Sequence, residues 1–329
     1  MTKSTSDRPG EFELIAEFFA PLSTAPGAFG LTDDAALLSV PPGQELVITT
    51  DALLEGIHFF STDPPDLVAR KALRVNLSDL AAKGAQPVGY LLALSLPAHR
   101  GRAWLQGFVE GLTLDQHEFA VSLMGGDTTR TSGPLTLVIT AFGHVPQGTM
   151  LRRAGACPGD IVFVSGTIGD AGGGLACAKE QALLQGQQRE YLLNRLQLPE
   201  PRIRLGLALR CVASASIDVS DGLVSDLGHI ATASGVGIEI EGAQVPLSPE
   251  LCSLWREPKH RLLRATTAGD DYEIAFTAPT GRQEEVVALG IQLGLQVTEI
   301  GRVIPGAGVA LLDPSRRQIP VTQPGYAHF

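Results

Sequence analysis

The chain has 329 residues, more than one ordinary core accommodates, and its length favours two domains of roughly 150 residues each. Hydrophobic residues at 44% and charged residues at 18%, with 37 Gly and 22 Pro, exclude a disordered chain and describe a compact, turn-rich α/β or α+β protein. The net charge of -10, without a basic stripe, weighs against a nucleic-acid partner, and a polyanionic substrate would have to arrive with cations or meet cations held on the protein's own carboxylates.

The first ten residues have no apolar core and read as a frayed tail rather than a secretory signal. Phe12, Ile15, Ala16 and Phe19 then stand at helical spacing in 11–22, a short amphipathic helix docking on the first domain. The turn Gly30-Leu31-Thr32-Asp33-Asp34-Ala35 carries paired carboxylates into a strand. Pro41-Pro42-Gly43 turns back into Leu46-Val47-Ile48-Thr49-Thr50-Asp51, so the two strands are expected to pair as a hairpin. Pro64 and Pro65 open a helix that runs to Gly84, with Asn76, Ser78 and Asp79 inside it, where Ser and Asp are poor helix formers. Residues 88–96 form a buried strand, too short an apolar run to span a membrane, and 102–118 an amphipathic helix. The strand 121–124 ends in Gly125-Gly126-Asp127-Thr128-Thr129-Arg130, and 135–145 is expected to return as its hairpin partner.

Gln147-Gly148-Thr149 marks the domain boundary, which gives a flexible tail over 1–10, an N-terminal domain over 11–148 and a C-terminal domain over 149–329. In the second half, a strand at 161–164 leads into Gly166-Thr167-Ile168-Gly169-Asp170. The absence of a Gly-Lys-Ser/Thr ending makes this a helix-opening turn rather than a phosphate loop. Strands follow at 215–219, 236–240, 274–277, 297–303 and 309–312, with helices at 224–234, 249–255, 260–265 and 283–293, completing an α/β layer. Ser220-Asp221 echoes Ser78-Asp79 and suggests related halves. Cys157, Cys177, Cys211 and Cys252 lie far apart without a Cys-x-x-Cys pair, which argues against zinc or a disulfide framework and fits a reduced cytoplasm.

The chemistry lies in carboxylates at strand and helix ends: Asp34, Asp51, Asp79, Asp127, Asp218 and Asp221. Any single one reads as a turn former or helix cap. Clustered in one cleft beside Ser, Thr and Gly they would repel one another unless divalent ions sat between them, and an all-oxygen set favours Mg²⁺ over Zn²⁺. Two readings of His58 stand side by side, a structural ring or a protonated imidazole that touches a substrate phosphate. Arg130 and Arg153 could fork onto phosphate oxygens or simply be solvated; Arg153, in a Gly-framed loop, is the better candidate. Nucleophile elbow, Cys–His pair and kinase-type Lys motif are all missing, and phosphoryl transfer by positioning and metal electrostatics requires none of them.

Taken together, Gly30-Leu31-Thr32-Asp33-Asp34-Ala35-Ala36-Leu37-Leu38, Thr49-Thr50-Asp51 with Gly56-Ile57-His58-Phe59, Asn76-Leu77-Ser78-Asp79-Leu80, Gly125-Gly126-Asp127-Thr128-Thr129, Ile217-Asp218-Val219-Ser220-Asp221-Gly222-Leu223 and the terminal Gly325-Tyr326-Ala327-His328-Phe329 resemble the thiamine-monophosphate kinase family. That family lies within the aminoimidazole-ribonucleotide-synthetase-like superfamily. The resemblance implies a layered α/β architecture with an N-terminal mixed-sheet domain that dimerises through its sheet and a C-terminal α/β domain closing over the nucleotide. It implies that ATP and thiamine monophosphate give ADP and thiamine diphosphate. By position, Asp34, Thr49, Thr50, Asp51, Asp79, Asp127 and Asp218 would ligate Mg²⁺ and Asp221 a further ion. His58 would contact the thiamine phosphate, and Gly126, Asp127, Arg153 and Ser220 would hold ATP. The chain departs from the family pattern at two expected substrate contacts: Asp270 replaces Glu, and Gln323 replaces a bulky aromatic residue. The rivals are another ATP-dependent synthase of the superfamily and a non-catalytic nucleotide- or metal-binding regulator.

Overall fold

The computed structural model describes residues 10–180 and 184–327. The expected tail up to Pro9, and His328 and Phe329 of the terminal motif, lie outside the described residues. The chain divides into two compact units, Met1–Leu80 with Gln86–Gln147 and Ala81–Ala85 with Gly148–Phe329.

The first unit opens with α1 (Glu11–Leu14), continued by a π turn (Ile15–Phe19) and a 3₁₀ turn (Ala20–Leu22) that ends around Pro21. The wide π turn rotates the apolar face, so Leu14, Phe18, Phe19 and Leu22 are buried while Phe12, expected to dock, is 83% exposed. β1 (Gln44–Leu54), α2 (Pro65–Ala82), β2 (Gln86–Pro97), α3 (Arg102–Phe119), β3 (Ser122–Thr131) and β4 (Thr136–Pro146) follow. The sheet is mixed, in the order β1-β4-β2-β3, with β3 parallel to β2 and the other pairs antiparallel.

Two expected hairpins are absent. Residues 35–40 are irregular, with Leu37 N–H donating to Gly27 O at 2.7 Å, and β1 pairs with β4 instead, Asp51 opposite Ile139. β3 continues through Gly125 to Thr131, and β4 inserts between β1 and β2 rather than folding back on β3. Chain adjacency suggested both hairpins. The helix α3 between β2 and β3 permits the parallel pairing actually formed, which a tight turn could not.

Along β1 and β4 burial alternates, and the row of Leu53, Leu137, Ile139 and Ala141 is buried. On this side Thr49 hydrogen-bonds Asp79 of α2, and Gln116 of α3 donates to the Tyr90 hydroxyl of β2 at 3.1 Å, so both helices cover the same sheet face. A buried Arg74 Nε–Asp115 bond of 2.7 Å ties α2 to α3. The opposite face, carrying Ile48, Thr50 and Ala52, is exposed.

In the second unit β5 (Ile161–Ser165), α4 (Asp170–Lys179), α5 (Gly186–Gln197), α6 (Ile203–Leu209), β6 (Ala215–Asp218), α7 (Leu223–Ser234), β7 (Gly237–Glu241), α8 (Pro249–Leu254), α9 (Pro258–Thr267), β8 (Ile274–Ala278), α10 (Gln283–Leu293), β9 (Val297–Ile304) and β10 (Gly308–Leu312) build a six-stranded sheet in the order β10-β7-β9-β5-β8-β6. The sequence reading missed α5 and α6. Near-continuous apolar strands mean both sheet faces are covered. Val162, Val164, Ile217 and Ala275 pack with Leu223, Leu227 and Ile230 of α7. The alternate residues Ile161, Phe163, Ile274 and Phe276 pack with Leu205 and Leu209 of α6 and Val286 of α10. Phe163 and Phe276 are register partners, with stacked rings 5.3 Å apart. The two Ser-Asp pairs occupy different backbones, Ser78-Asp79 mid-helix and Ser220-Asp221 in a strand-to-helix loop, so their echo is not a structural repeat.

Candidate active site

In the first unit the strand period decides which oxygens meet. Thr49 and Asp51 share the helix-covered face of β1, and the Thr49 hydroxyl donates to Asp79 Oδ2. Thr50 points to the open face, where its hydroxyl donates to Ile139 O at 3.1 Å and lies 3.1 Å from the Thr140 hydroxyl. Asn76 stands one turn before Asp79 on α2. Its amide donates to Ala72 O at 3.0 Å, but its buried Oδ1 has no hydrogen-bond partner. Of the poor helix formers inside α2, Asp79 is the one whose oxygen meets a β1 hydroxyl, that of Thr49.

Asp127 is exposed on β3, opposite Ala93 of β2. At Gly126 an added Cβ would come within 1.8 Å of Leu92 O, so only glycine allows this backbone approach. Asp34 lies in an exposed bend, its N–H donating to Asp33 Oδ1 at 2.8 Å. Arg130 is likewise exposed on β3. His58 is half-buried in the turn after β1, where Nδ1 accepts from Leu54 N–H at 2.9 Å. A ring that accepts at Nδ1 is unprotonated there. With Nδ1 accepting, Nε2 is the ring nitrogen available to a ligand.

In the second unit, Asp218 ends β6 and is buried, and the chain turns through Val219, Ser220, Asp221 and Gly222 into α7. Two segments converge on this loop through three backbone bonds. Tyr272 N–H donates to Val219 O at 2.8 Å, Asp270 N–H to Ser220 O at 2.8 Å, and Tyr326 N–H to Asp221 O at 2.9 Å. Gly325 packs so closely that a Cβ would lie 2.5 Å from Asp221 O. The loop thus gathers Asp218, Ser220, Asp221 and Asp270, with the exposed Gln323 two residues before Gly325. Arg153 is exposed in the segment before β5, its carbonyl accepting from the Ser234 hydroxyl at 3.3 Å.

Asp270 (φ 70°) and Tyr272 (φ 50°) both adopt left-handed backbone, a strained conformation for side chains of this kind. The alternate residues explain why it persists. Asp271, fully buried, accepts from Gly169 N–H at 2.6 Å and Ala171 N–H at 3.1 Å. Glu273, fully buried, accepts from Arg195 at 2.8 Å, from Arg202 at 2.7 and 2.6 Å, and from the Ser165 hydroxyl at 2.6 Å. Burial pushes Asp271 well above the usual carboxylate range. Burial would also raise Glu273, but the bonds and charges of Arg202 and Arg195 outweigh it and hold its carboxyl below the ordinary value.

Sequence reasoning missed Asp226. From α7 its Oδ2 accepts the N–H groups of Ser220, Asp221 and Gly222 at 3.0, 3.1 and 3.1 Å. Burial, and then the neighbouring Asp221 charge, push its carboxyl up to about 7. One oxygen of Asp226, one of Asp221 and a ring nitrogen of His229 lie within 4.8 Å of one another. The available signal was the i, i+3 spacing of Asp226 and His229 on α7.

Two family matches cover most of the chain: AIR synthase related protein, N-terminal domain, over residues 32–145, and AIR synthase related protein, C-terminal domain, over 157–313. The chain is 45% identical over 327 residues to the thiamine-monophosphate kinase of Escherichia coli (strain K12), covering 97% of this chain and 98% of that protein. The crystal structure of thiamine-monophosphate kinase from Stenotrophomonas maltophilia K279a is 41% identical, superposes with a TM-score of 0.83 and covers 92% of this chain and 96% of its own. A further structure, described as AaThiL complexed with AMPPCP and TMP, is 33% identical, with a TM-score of 0.78 and 97% of both chains covered. The chain belongs to the thiamine-monophosphate kinase family of AIR synthase related proteins.

Proposed function

We infer that the protein transfers the γ-phosphoryl group of ATP to the phosphate of thiamine monophosphate, giving ADP and thiamine diphosphate. The observation that carries this is similarity along nearly the whole chain to a thiamine-monophosphate kinase, joined to the fold shared with a relative complexed with AMPPCP and TMP. The acceptor is itself a phosphate, largely deprotonated at neutral pH, so the reaction needs no general base and the residues act by positioning.

The donor chemistry fits Mg²⁺. Thr49, Asp51 and Asp79 offer hard oxygens on one face, and the partnerless Asn76 Oδ1 is the kind of buried oxygen that a hydrated cation satisfies. The other proposed ligands are Asp34, then Thr50 and Asp127, which the strand register puts on the open face rather than beside Thr49 and Asp51, and in the second unit Asp218 and Asp221. When bound, Mg²⁺ supplies positive charge that screens two polyanions and stabilises the transferring group. Gly126 lets backbone approach ATP, with Asp127, Arg153 and Ser220 as its further contacts; Arg153 suits phosphate by its planar fork. His58, through Nε2–H, holds the thiamine phosphate, while Asp270 and Gln323 complete the substrate site.

The exposed sheet face with Ile48 at 58% exposure supports a homodimer formed through it. The free cysteines and a phosphorylated substrate fit a cytoplasmic enzyme. Among the described residues no helix is long and apolar enough to cross a membrane.

Incubation with ATP, Mg²⁺ and thiamine monophosphate, followed by chromatography, is expected to yield thiamine diphosphate in proportion to ADP. ATP binding without product would favour the regulator, and turnover only with a different superfamily acceptor would favour the other synthases.

A further inference from the structure

We propose that Asp226 is a positioning residue of the nucleotide site, holding the Ser220–Gly222 loop in the one conformation that presents the Ser220 hydroxyl and the Asp221 carboxylate to Mg²⁺ and ATP. This rests on the function proposed above. Three consecutive backbone N–H groups, those of Ser220, Asp221 and Gly222, converge on a single oxygen of Asp226, at 3.0, 3.1 and 3.1 Å. Successive N–H groups pointing into one concavity form an anion nest of the kind that elsewhere receives a phosphate. Here the protein fills that nest with its own buried carboxylate. The loop cannot then wrap a ligand phosphate with these donors, which leaves its side chains, the Ser220 hydroxyl and the Asp221 carboxylate, as the groups it can offer a ligand; a carboxylate oxygen of Asp221 lies within 4.8 Å of one of Asp226.

The remaining attachments hold the opposite ends of the same peptide units. Asp270, Tyr272 and Tyr326 donate N–H bonds to the carbonyls of Ser220, Val219 and Asp221. Those bonds tether the carbonyl side. Gly222 has φ 129°, and an added Cβ would meet Thr267 C at 2.9 Å, so the chain passes through a conformation open to glycine alone. Each of the three planar peptide units is therefore held at both ends, its carbonyl by the N–H of Tyr272, Asp270 or Tyr326 and its N–H by the Asp226 carboxylate, which is the one side-chain group that gathers all three. Asp226 sits on α7, whose Leu227 and Ile230 are buried in the core, so the anchor is as rigid as the helix that carries it.

The test compares Asp226→Ala with Asp226→Asn, which keeps a neutral oxygen acceptor. In Asp226→Ala the Mg²⁺ concentration for half-maximal activity and the KM for ATP are expected to rise about tenfold or more, with kcat at saturation within about threefold of the parent. Asp226→Asn should recover part of that loss. Calorimetric titration with Mg²⁺ and AMPPCP should show the same weakening without turnover, in protein whose circular dichroism and unfolding midpoint report a folded chain. If Asp226→Ala does not fold, Asp226→Leu, which keeps buried volume and offers no acceptor, takes its place. Parent-like Mg²⁺ and nucleotide dependence in the folded acceptor-free variant would overturn the proposal, as would a fall in kcat with unchanged nucleotide binding, or a larger change in KM for thiamine monophosphate than for ATP. Should the parent protein bind Mg²⁺ and AMPPCP but make no thiamine diphosphate, the functional reading falls, and the titrations still decide the role of Asp226.

Discussion

The two units display their oxygens by different means. In the first, Thr49 and Asp51 ride on β1, Asp79 on α2 and Asp127 on β3, so strand pleat and helix turn aim each side chain. In the second, Asp218 closes β6, while Val219 to Gly222, Asp270 and the segment around Gly325 are loops, tied to one another by backbone bonds and braced from beneath by Asp226, Asp271 and Glu273. Where regular elements do the aiming, displayed residue and scaffold are separable. Where loops do, the buried charge behind the loop becomes part of the site, since left-handed Asp270 and Tyr272 persist only while Asp271 and Glu273 are held.

The largest expected effect tests the separability of the first unit. Asp51→Asn and Asp127→Asn should each lower turnover by about 1,000-fold or more while the unfolding midpoint moves by no more than about 3 °C. Near-normal product formation by both variants at saturating Mg²⁺ would remove these residues from the metal set.

Next comes the bracing of the second unit. Glu273→Gln removes the buried carboxylate that Arg195 and Arg202 share, leaving Arg202 with Glu200 at 2.8 Å and Arg195 with Asp170 at 3.9 Å, and should cost about 3 kcal/mol in urea unfolding at pH 7. Because the folded-state carboxyl of Glu273 lies below its unfolded value, its contribution is present above about pH 4.3 and is lost as pH falls through the folded value. The gap between parent and variant should therefore narrow at acid pH. A gap that stays constant from pH 7 to pH 3 would show that the ion pairs are not its source.

The smallest effect sharpens the contrast at a single bond. Thr49→Val keeps the shape of a strand residue but removes the donor to Asp79, at about 1–2 kcal/mol. Activity should fall further than stability, because Asp79 loses its orientation while β1 keeps its ladder with β4. Equal losses in denaturation and in the thiamine diphosphate assay would mean that the bond belongs to the fold alone.

Much of this was legible in the residues. Period-2 alternation and apolar runs located β2 and the strands of the second unit, and Pro65 and Gly84 bracketed α2, because these signals depend only on neighbours in the chain. The oxygen-rich motifs ending β1 and β6 stood out for the same reason. Strand partners did not: β4 inserts between β1 and β2, and residues 35–40 form no strand. Pairing is settled by which edges remain after the helices have covered one face, and that is a long-range matter.

The amino-acid sequence by itself determined the family and the α/β layering, and it singled out the oxygen-rich residues of the candidate site, since residue type, spacing and order are legible wherever the chain goes. Only the tertiary structure decided direction and support. It turned Thr50 away from Thr49, made His58 an acceptor at Nδ1, and set Asp226 beneath the Ser220–Gly222 loop with Glu273 between two arginines. Those outcomes depend on burial and on partners as many as 89 residues away, as for Thr50 and Ile139, and no local pattern encodes them.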